Sequence, residues 1–296
     1  MRVWVTGGAG CLGSHLVERL LSEGHRVDAL DDLSTGSLAN LSAARGVDGF
    51  GFHQIDVTAG ELPTLAARHQ PDVIVHAAGR SVRPAGLADP LAETNATVVG
   101  TLSVLTAARL CGARVIAVVH ATPDAADPPS TPAEVSAWTV VDQLRVHRTR
   151  LGVPTTCVVL ANLYGPRQAV SDGGPLVARM IDDLVVGRSL TINRGDHTRD
   201  LVYVDDAVDA VCRCLDRPDA TVVPVGSGTI VRPSEVAAML GEVAGRRIEI
   251  LDAAARRGDL DRPAWPLEPA AQQLGWAPWT ELRDGLAACW AERSGD

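Results

Sequence analysis

The chain has 296 residues, of which 46% are hydrophobic and 21% are charged, and its formal net charge is -9 at pH 7. This length and composition predict a globular protein with one large two-lobed unit or two small domains. The negative charge argues against general binding to nucleic acid or to an anionic membrane. Six scattered cysteines form no paired Cys-x-x-Cys motif, so no zinc or other metal site is expected and the thiols are interpreted as reduced.

The first residues enter a strand and a glycine turn directly, so no signal peptide is expected. No stretch approaches the ~18 apolar residues of a membrane helix. These observations predict a cytoplasmic protein without membrane contact.

Strand-like and helix-like segments alternate through the first half of the chain. Strands are predicted at 2–6, 26–30, 52–55, 72–76, 115–120 and 156–160. Helices are predicted at 13–22, 62–69, 90–111 and 135–151, with a loop over 121–133. The alternation predicts an α/β fold with a Rossmann-type doubly wound parallel sheet.

The second half is less regular. Helices are predicted at 176–186, 205–215, 233–244 and 282–292, and strands at 221–225 and 247–250. A change in composition near 165–174 suggests a boundary. We therefore expect one domain over 1–165, with a returning segment at about 198–226, and a smaller, discontinuous C-terminal lobe within 166–296.

The segment TGGAGCLGSH, residues 6–15, places Gly7, Gly10 and Gly13 three apart between a strand and a helix. Such a turn lets a pyrophosphate approach backbone N–H groups at a helix N-terminus. Asp31 follows at the end of the second strand, where a carboxylate can accept hydrogen bonds from a ribose and would repel a 2′-phosphate. The arrangement predicts a dinucleotide site that prefers NAD to NADP.

Two further acids end strands in the same region. Asp32 is interpreted as a solvated turn residue. Asp56 ends the third strand, where it can meet an adenine amino group or act as a strand-end cap, and both interpretations stay open.

Further motifs follow along the chain: DDLSTG at 31–36, HAAG at 76–79, NLYGPR at 162–167, TRDLVYVDD at 198–206, RRGD at 256–259 and LGWAP at 274–278. Together with the glycine turn, their order resembles that of the extended short-chain dehydrogenases, the NAD-dependent epimerase/dehydratase family acting on nucleotide sugars. The resemblance covers nearly the whole chain. It implies a Rossmann NAD-binding domain and a lobe that binds a nucleoside diphosphate sugar.

The resemblance also implies roles for residues that match the motifs. The cofactor would be bound by Gly7, Gly10, Cys11, Leu12, Gly13, Asp31, Asp32, Asp56, Val57, Ala77, Ala78 and Gly79. The substrate's diphosphate would be held by Asn162, Arg199 and Arg256, and arginine suits this role because its guanidinium binds phosphate bidentately. The alternative for Arg199 is a surface ion pair with Asp200 or Asp205.

The sequence departs from this family at the redox site. The family uses a Tyr-x-x-x-Lys pair after the fifth strand, but this chain contains no lysine, and both of its tyrosines, Tyr164 and Tyr203, lie in other motifs. Counting back from Asn162 assigns the tyrosine position to Trp138 and the lysine position to Asp142. The position of the family's Ser or Thr falls on His120.

Two hypotheses remain open. In the first, the protein is an enzyme with a rebuilt site, in which His120 is a general acid or base oriented by Asp142 or Asp124. In the second, it is a non-catalytic binder of NAD and a nucleotide sugar, such as a partner subunit of an active relative. The family resemblance further implies a homodimer formed through the helices at 90–111 and 135–151.

Overall fold

The structure is a computed structural model that describes residues 1–79, 89–120, 129, 131–170, 174–193, 196–254 and 261–295. The strands are β1 Arg2–Thr6, β2 Arg26–Asp31, β3 Phe50–Gln54, β4 Val73–His76, β5 Arg114–His120, β6 Thr155–Leu160, β7 Asn162–Tyr164, β8 Leu190–Asn193, β9 Arg199–Tyr203, β10 Val222–Val225, β11 Ile230–Val231 and β12 Ile250–Ala253. The central sheet has seven strands in the order β10-β6-β5-β4-β1-β2-β3. All its neighbouring strands are parallel, which confirms the predicted doubly wound sheet.

The helices are α1 Cys11–Ser22, α2 Leu62–His69, α3 Pro90–Thr94, α4 Gly100–Cys111, α5 Pro132–Arg150, α6 Leu176–Val185, α7 Val204–Leu215, α8 Pro233–Val243, α9 Glu268–Leu274 and α10 Leu282–Ser294. A π-helical turn at Asn95–Val99 joins α3 to α4, so the single helix expected over 90–111 is present with one wider turn. Helix α5 begins three residues earlier than its predicted start.

Apolar side chains fill both faces of the central sheet. One cluster includes Val3, Val5 and residues of α1 and α7, and the other includes Trp4, Ile74 and residues of α2, α4 and α5. Alternation along β1 explains this division, because successive side chains of a strand point to opposite faces. Burial on both faces also explains why these strands are almost continuously apolar.

Two small sheets lie beside the central one, with strand orders β11-β9-β7 and β12-β8. Strands β7, β8, β9 and β11 were not predicted, because runs of two to five residues carry little periodicity. The strand expected at 247–250 begins at Ile250 instead. After β9 and α7 the chain returns to the central sheet, where β10 pairs with β6.

Within the ranges that the structure describes, no helix is both long enough and apolar enough to cross a membrane.

Candidate functional site

A cleft with a volume of about 750 Å³ runs along the carboxyl ends of the central strands. Because parallel strands present their carboxyl ends at one edge of a sheet, residues that follow β1, β2 and β4 meet there. The opposite wall comes from the smaller sheets and the second half of the chain. Residues on that wall include Leu176, Arg179, Thr191, Ile192, Asn193, Arg199, Pro233 and Arg262.

The glycine turn after β1 forms one end of the cleft. Gly7 has φ +70°, and a Cβ atom there would lie 2.8 Å from the backbone of Ala77 and Ala78. A Cβ atom on Gly13 would lie 2.0 Å from the carbonyl oxygen of Gly7, so only glycine fits at this position against the turn. Gly7, Gly10, Cys11 and Leu12 line the cleft, whereas Gly13 is not among its lining residues.

This turn suits a pyrophosphate. Helix α1 begins at Cys11, and its N-cap Gly10 provides no side chain to accept hydrogen bonds from the first helical N–H groups. Those groups and the positive end of the helix dipole are therefore available to an anion at the cleft. The residues present fit the pyrophosphate of NAD.

Asp31 is only 7% exposed, and it lines the cleft at the end of β2. Its carboxylate accepts hydrogen bonds from the amides of Ala9 (2.9 Å) and Leu33 (2.8 Å). Burial raises the pKa of Asp31, and these two amides oppose that rise. The side chain is thus fixed at the position where a ribose is expected.

Asp32 and Asp56 have similar local roles. Asp32 accepts hydrogen bonds from the amide and hydroxyl of Ser34, as expected of a turn residue. Asp56 accepts from the amide and hydroxyl of Thr58, so it caps the turn after β3. Both residues also line the cleft, together with Val57, Ala77, Ala78 and Gly79.

A buried hydrogen-bond chain supports the end of β4. The hydroxyl of Thr6 lies 2.7 Å from His76 Nδ1, and Nε2 of His76 lies 3.1 Å from the hydroxyl of Thr101. Thr101 donates to the carbonyl of Thr97, so its oxygen accepts from an Nε2–H group. His76 is 2% exposed, and burial lowers its pKa to about 4. A neutral histidine therefore anchors the segment Ala77–Gly79, a role that the sequence analysis did not identify.

His120 lines the cleft at the carboxyl end of β5. Burial lowers the pKa of its imidazole, and the backbone groups of Ala161 and Leu160 oppose that shift. The ring is consequently neutral near pH 7 and able to accept a proton. Asp124, one of the two acids expected to orient it, lies outside the described residues.

The expectation that Trp138 and Asp142 stand at the cleft is wrong. The side chain of Asp142 is 69% exposed and bonds to Arg145, and Trp138 packs against the apolar core on the side of α2 and α4. Helix α5 starts at Pro132, three residues before its predicted start, and its cleft-lining positions come before Trp138. Those positions are Ala133, Glu134 and Ala137, preceded by the N-cap Thr131.

Glu134 was missed by the sequence analysis, although Thr131 and Glu134 form a capping box. Thr-x-x-Glu is a sequence-level signal of a helix start. The Glu134 side chain is 4% exposed, and its carboxylate lies 2.6 Å from the guanidinium of Arg262 on the opposite wall. An ion pair thus joins the start of α5 to the second half of the chain inside the cleft.

The residues expected to hold a diphosphate are only partly described. Asn162 and Arg199 both line the cleft, and the Asn162 amide donates to the carbonyl of Asp200. Arg256 lies outside the described residues. Arg179 and Arg262 also line this part of the cleft and were not predicted, because neither lies in a motif that had been recognised.

Asp200 has a structural role. Its carboxylate is fully buried and accepts hydrogen bonds from Ser227, Gly228 and the amide of Trp265. It therefore joins the start of β9 to the segments of Ser227 and Trp265, and a buried carboxylate is not the surface partner of Arg199 that the alternative requires. The alternative pairing of Arg199 with Asp205 stays open.

Neither tyrosine is a candidate acid–base group, although Tyr164 lines the cleft. The hydroxyl of Tyr164 packs against Gly285 of α10, where an added Cβ atom would lie 2.3 Å from it. Burial raises the pKa values of both Tyr164 and Tyr203. Both phenols therefore stay protonated at neutral pH.

The chain matches the family model described as the NAD dependent epimerase/dehydratase family over residues 3–226. It is 35% identical to a UDP-glucose 4-epimerase of Mycolicibacterium smegmatis, covering 97% of this chain and 96% of the relative. It is also 29% identical to UDP-glucuronic acid decarboxylase 5 of Arabidopsis thaliana, covering 97% of this chain and 87% of that protein.

Solved structures of two UDP-glucose 4-epimerases have a similar fold. The UDP-glucose 4-epimerase of Thermotoga maritima with UDP-glucose has a TM-score of 0.92 at 25% identity, covering 99% of this chain and 98% of that chain. The UDP-glucose 4-epimerase of Thermus thermophilus in complex with NAD has a TM-score of 0.89 at 28% identity, with the same coverage. The glycine turn, the strand-end Asp31 and the two-walled cleft are thus found in a chain whose sequence and fold match one group of proteins. The chain belongs to the NAD-dependent epimerase/dehydratase family.

Proposed function

We propose that this protein is an NAD-dependent enzyme acting on a nucleoside diphosphate sugar, with His120 as the acid–base group. The supporting observation is the position of His120, which lines the cleft with its imidazole held neutral by burial. NAD, when bound, would accept a hydride from the sugar and return it. The imidazole would take the proton from the sugar hydroxyl that is being oxidised, and return it when the carbonyl is reduced.

The binding part of this proposal follows the two walls of the cleft. Asp31 and the turn at Gly7 and Gly10 would hold the ribose and pyrophosphate of NAD. Asn162 and Arg199 would hold the diphosphate of the substrate, together with Arg256 by resemblance. UDP-sugars are the first choice as ligands, because the named relatives at 25–35% identity act on or bind them.

We further infer that the family's tyrosine and lysine positions fall at Ala133 and Ala137. These residues are four apart on α5, so they share a helix face, and both line the cleft. Two methyl groups would then stand where the family places a phenol and an ammonium group. Neither can move a proton, which leaves the ordinary Tyr/Lys route without its base.

The same alanines support a second candidate function, a non-catalytic binder of NAD and a nucleotide sugar. Such a protein keeps both binding walls and loses the proton-transfer groups. It would act as a partner subunit or as a sensor of the bound sugar. The two candidates differ only in whether His120 carries out chemistry.

One experiment separates them. Purified protein is incubated in D₂O with NAD and a panel of nucleotide sugars that includes UDP-glucose, and mass spectrometry and NMR follow epimers, decarboxylated products and label in the sugar. We expect slow turnover that falls by roughly 10²–10⁴-fold in His120→Ala while sugar binding persists. His147→Ala is the matched control, because His147 lies on α5 with its Nδ1 at 2.8 Å from the carbonyl of Gln143.

Turnover that survives His120→Ala would reject the catalytic assignment. Binding without any turnover would support the non-catalytic candidate. Arg199→Ala tests the substrate wall independently, and we expect its affinity for a UDP-sugar to fall about ten- to a hundredfold, with NAD affinity kept. If none of the sugars binds, the proposed function is wrong.

We also propose a cytoplasmic homodimer that pairs through α3–α4 and α5. Large apolar side chains are exposed on these helices at Leu91, Val99, Leu110, Val135 and Val146. Light scattering at micromolar concentration should give twice the mass of one chain.

We also propose that the chain divides into two parts. An NAD-binding domain covers 1–165, with a returning segment at about 198–226, and a sugar-binding lobe lies within 166–296. Limited proteolysis tests this division.

A further inference from the structure

A second cluster of chemistry-bearing side chains lies away from the cleft. It consists of Asp28 on β2, His53 on β3 and His69 at the end of α2. Asp28 is paired in register with Trp4 and Gly51, so it stands on the sheet face that α2 covers. None of the three side chains is among those that line the NAD and substrate cleft.

The three side chains converge on one point. His53 Nε2 lies 3.4 Å from Asp28 Oδ1, and His69 Nδ1 lies 3.7 Å from Asp28 Oδ2. One ligand atom from each residue lies within 4.8 Å of the other two. In a tetrahedral zinc site with bonds of about 2.0–2.1 Å, ligand atoms are roughly 3.3–3.4 Å apart. The widest separation in the cluster, at most 4.8 Å, exceeds this spacing by up to about 1.4 Å, so the ligand atoms must approach one another by that distance to bind an ion.

Neighbouring groups hold the cluster in place. The indole N–H of the buried Trp4 donates to Asp28 Oδ2 at 3.1 Å, which fixes the carboxylate as outer partners fix metal ligands. The ring of His69 makes edge contacts with Trp4 and with His53 at centroid distances of 6.0 and 4.9 Å. The three side chains are 15–29% exposed, so solvent can reach the convergence point.

One feature opposes a cation. Arg2 Nε lies 3.8 Å from Asp28 Oδ2, and its guanidinium also donates to the carbonyl of His69. Arg2 is 39% exposed at its side chain, so it can turn into solvent when an ion binds. Because Arg2 competes with an ion for Asp28, removing the guanidinium should strengthen metal binding at this cluster.

We propose that Asp28, His53 and His69 form a binding site for a divalent transition metal ion, with Zn²⁺ as the probe. Two imidazoles and one carboxylate suit this class of ion, and a water molecule would complete the coordination. Mg²⁺ should bind much more weakly, because it prefers oxygen ligands. The ion would link β2, β3 and α2 at the edge of the central sheet. No metal site was predicted from the sequence, because the cysteines form no metal-binding motif. The three ligands of this cluster are too far apart in the sequence to form a motif of their own.

The test uses tag-free full-length protein, titrated with ZnCl₂ by calorimetry and with Co²⁺ by visible absorption. We expect one ion per chain, d–d absorption bands of a coordinated Co²⁺ and a higher melting temperature with Zn²⁺. His53→Ala, His69→Ala and Asp28→Asn should each weaken Zn²⁺ binding at least about tenfold. Arg2→Gln should strengthen it severalfold.

The matched control is His25→Ala. His25 also has a carboxylate nearby, with Nε2 at 3.9 Å from Glu23 Oε2, but it belongs to no group of three metal ligands within the part of the chain that the structure describes. The melting temperature of every variant without metal shows whether it folds. Zn²⁺ binding that survives both His53→Ala and Asp28→Asn, or that falls equally in His25→Ala, would overturn the proposal. So would equal affinities for Zn²⁺ and Mg²⁺, or no binding to the wild type.

Discussion

Acidification should destabilise this protein through His76. In the folded state Nδ1 of His76 faces the hydroxyl of Thr6, and Nε2–H donates to Thr101. A proton added at Nδ1 would remove the acceptor of the Thr6 hydroxyl and would put a charge into a site that is 2% exposed. Burial lowers the pKa from 6.5 to about 4.

The sign follows from proton binding. At pH values between these two pKa values, His76 binds a proton in the unfolded chain but not in the folded chain. The free energy of unfolding therefore falls as the pH falls. The stabilisation is fully present above pH 6.5 and is lost as the pH approaches about 4. At about 1.4 kcal/mol per pH unit, His76 alone removes about 3 kcal/mol over this interval. That is a large part of an ordinary domain's stability.

The assay is urea unfolding, followed by tryptophan fluorescence, over a pH series from about 7.5 to about 4.5. Wild type is compared with His76→Gln, which keeps a donor and an acceptor but does not titrate. The variant should be less stable at neutral pH and should lose about 2.5 kcal/mol less than wild type across the series, because pH 4.5 still lies above the folded pKa of about 4. Parallel curves for the two proteins would refute the reasoning.

Three further results are expected. Gly13→Ala should destabilise the fold by more than about 3 kcal/mol in thermal melts, because its Cβ atom would lie 2.0 Å from the Gly7 carbonyl, and an unchanged melting temperature would contradict this. Asp31→Asn should reduce the preference for NAD over NADP about tenfold in calorimetric titrations, since the charge that repels a 2′-phosphate is removed. Glu134→Gln should cost about 1–3 kcal/mol in urea unfolding, because it leaves the Arg262 guanidinium without its anion in the cleft. The exposed pair of Glu23 with Arg19 provides the comparison, and Glu23→Gln should cost less than about 1 kcal/mol.

The fold could be predicted because its signals are local. The order of strand, glycine turn and helix predicts that Asp31 lies beside the turn. Short apolar runs predict the bounds of β1 to β6 to within a few residues. The residues between Gly7 and Gly79 that line the cleft could be predicted from the same signals. Each lies near the carboxyl end of a strand, and a parallel sheet brings these ends together at one edge.

The catalytic end could not be predicted in the same way. Its geometry depends on which face of α5 lines the cleft, and a shift of one residue turns the assigned face of a helix by about 100°. Counting back from Asn162 selected Asp142, which faces solvent, whereas the α5 residues that line the cleft are Ala133, Glu134 and Ala137. The pairing of Glu134 with Arg262 joins segments 128 residues apart, and no local pattern reports such a contact.

The buried carboxylate of Asp200 has a consequence for recognition. It ties the residue that follows Arg199 to the turn after β10 and to the backbone of Trp265. Because hydrogen bonds hold this wall at three positions, it loses little conformational entropy when a ligand binds. That entropy is lost during folding instead. Selectivity at this wall should then depend on whether a sugar nucleotide matches a rigid surface, and analogues that need the wall to move would be excluded by shape.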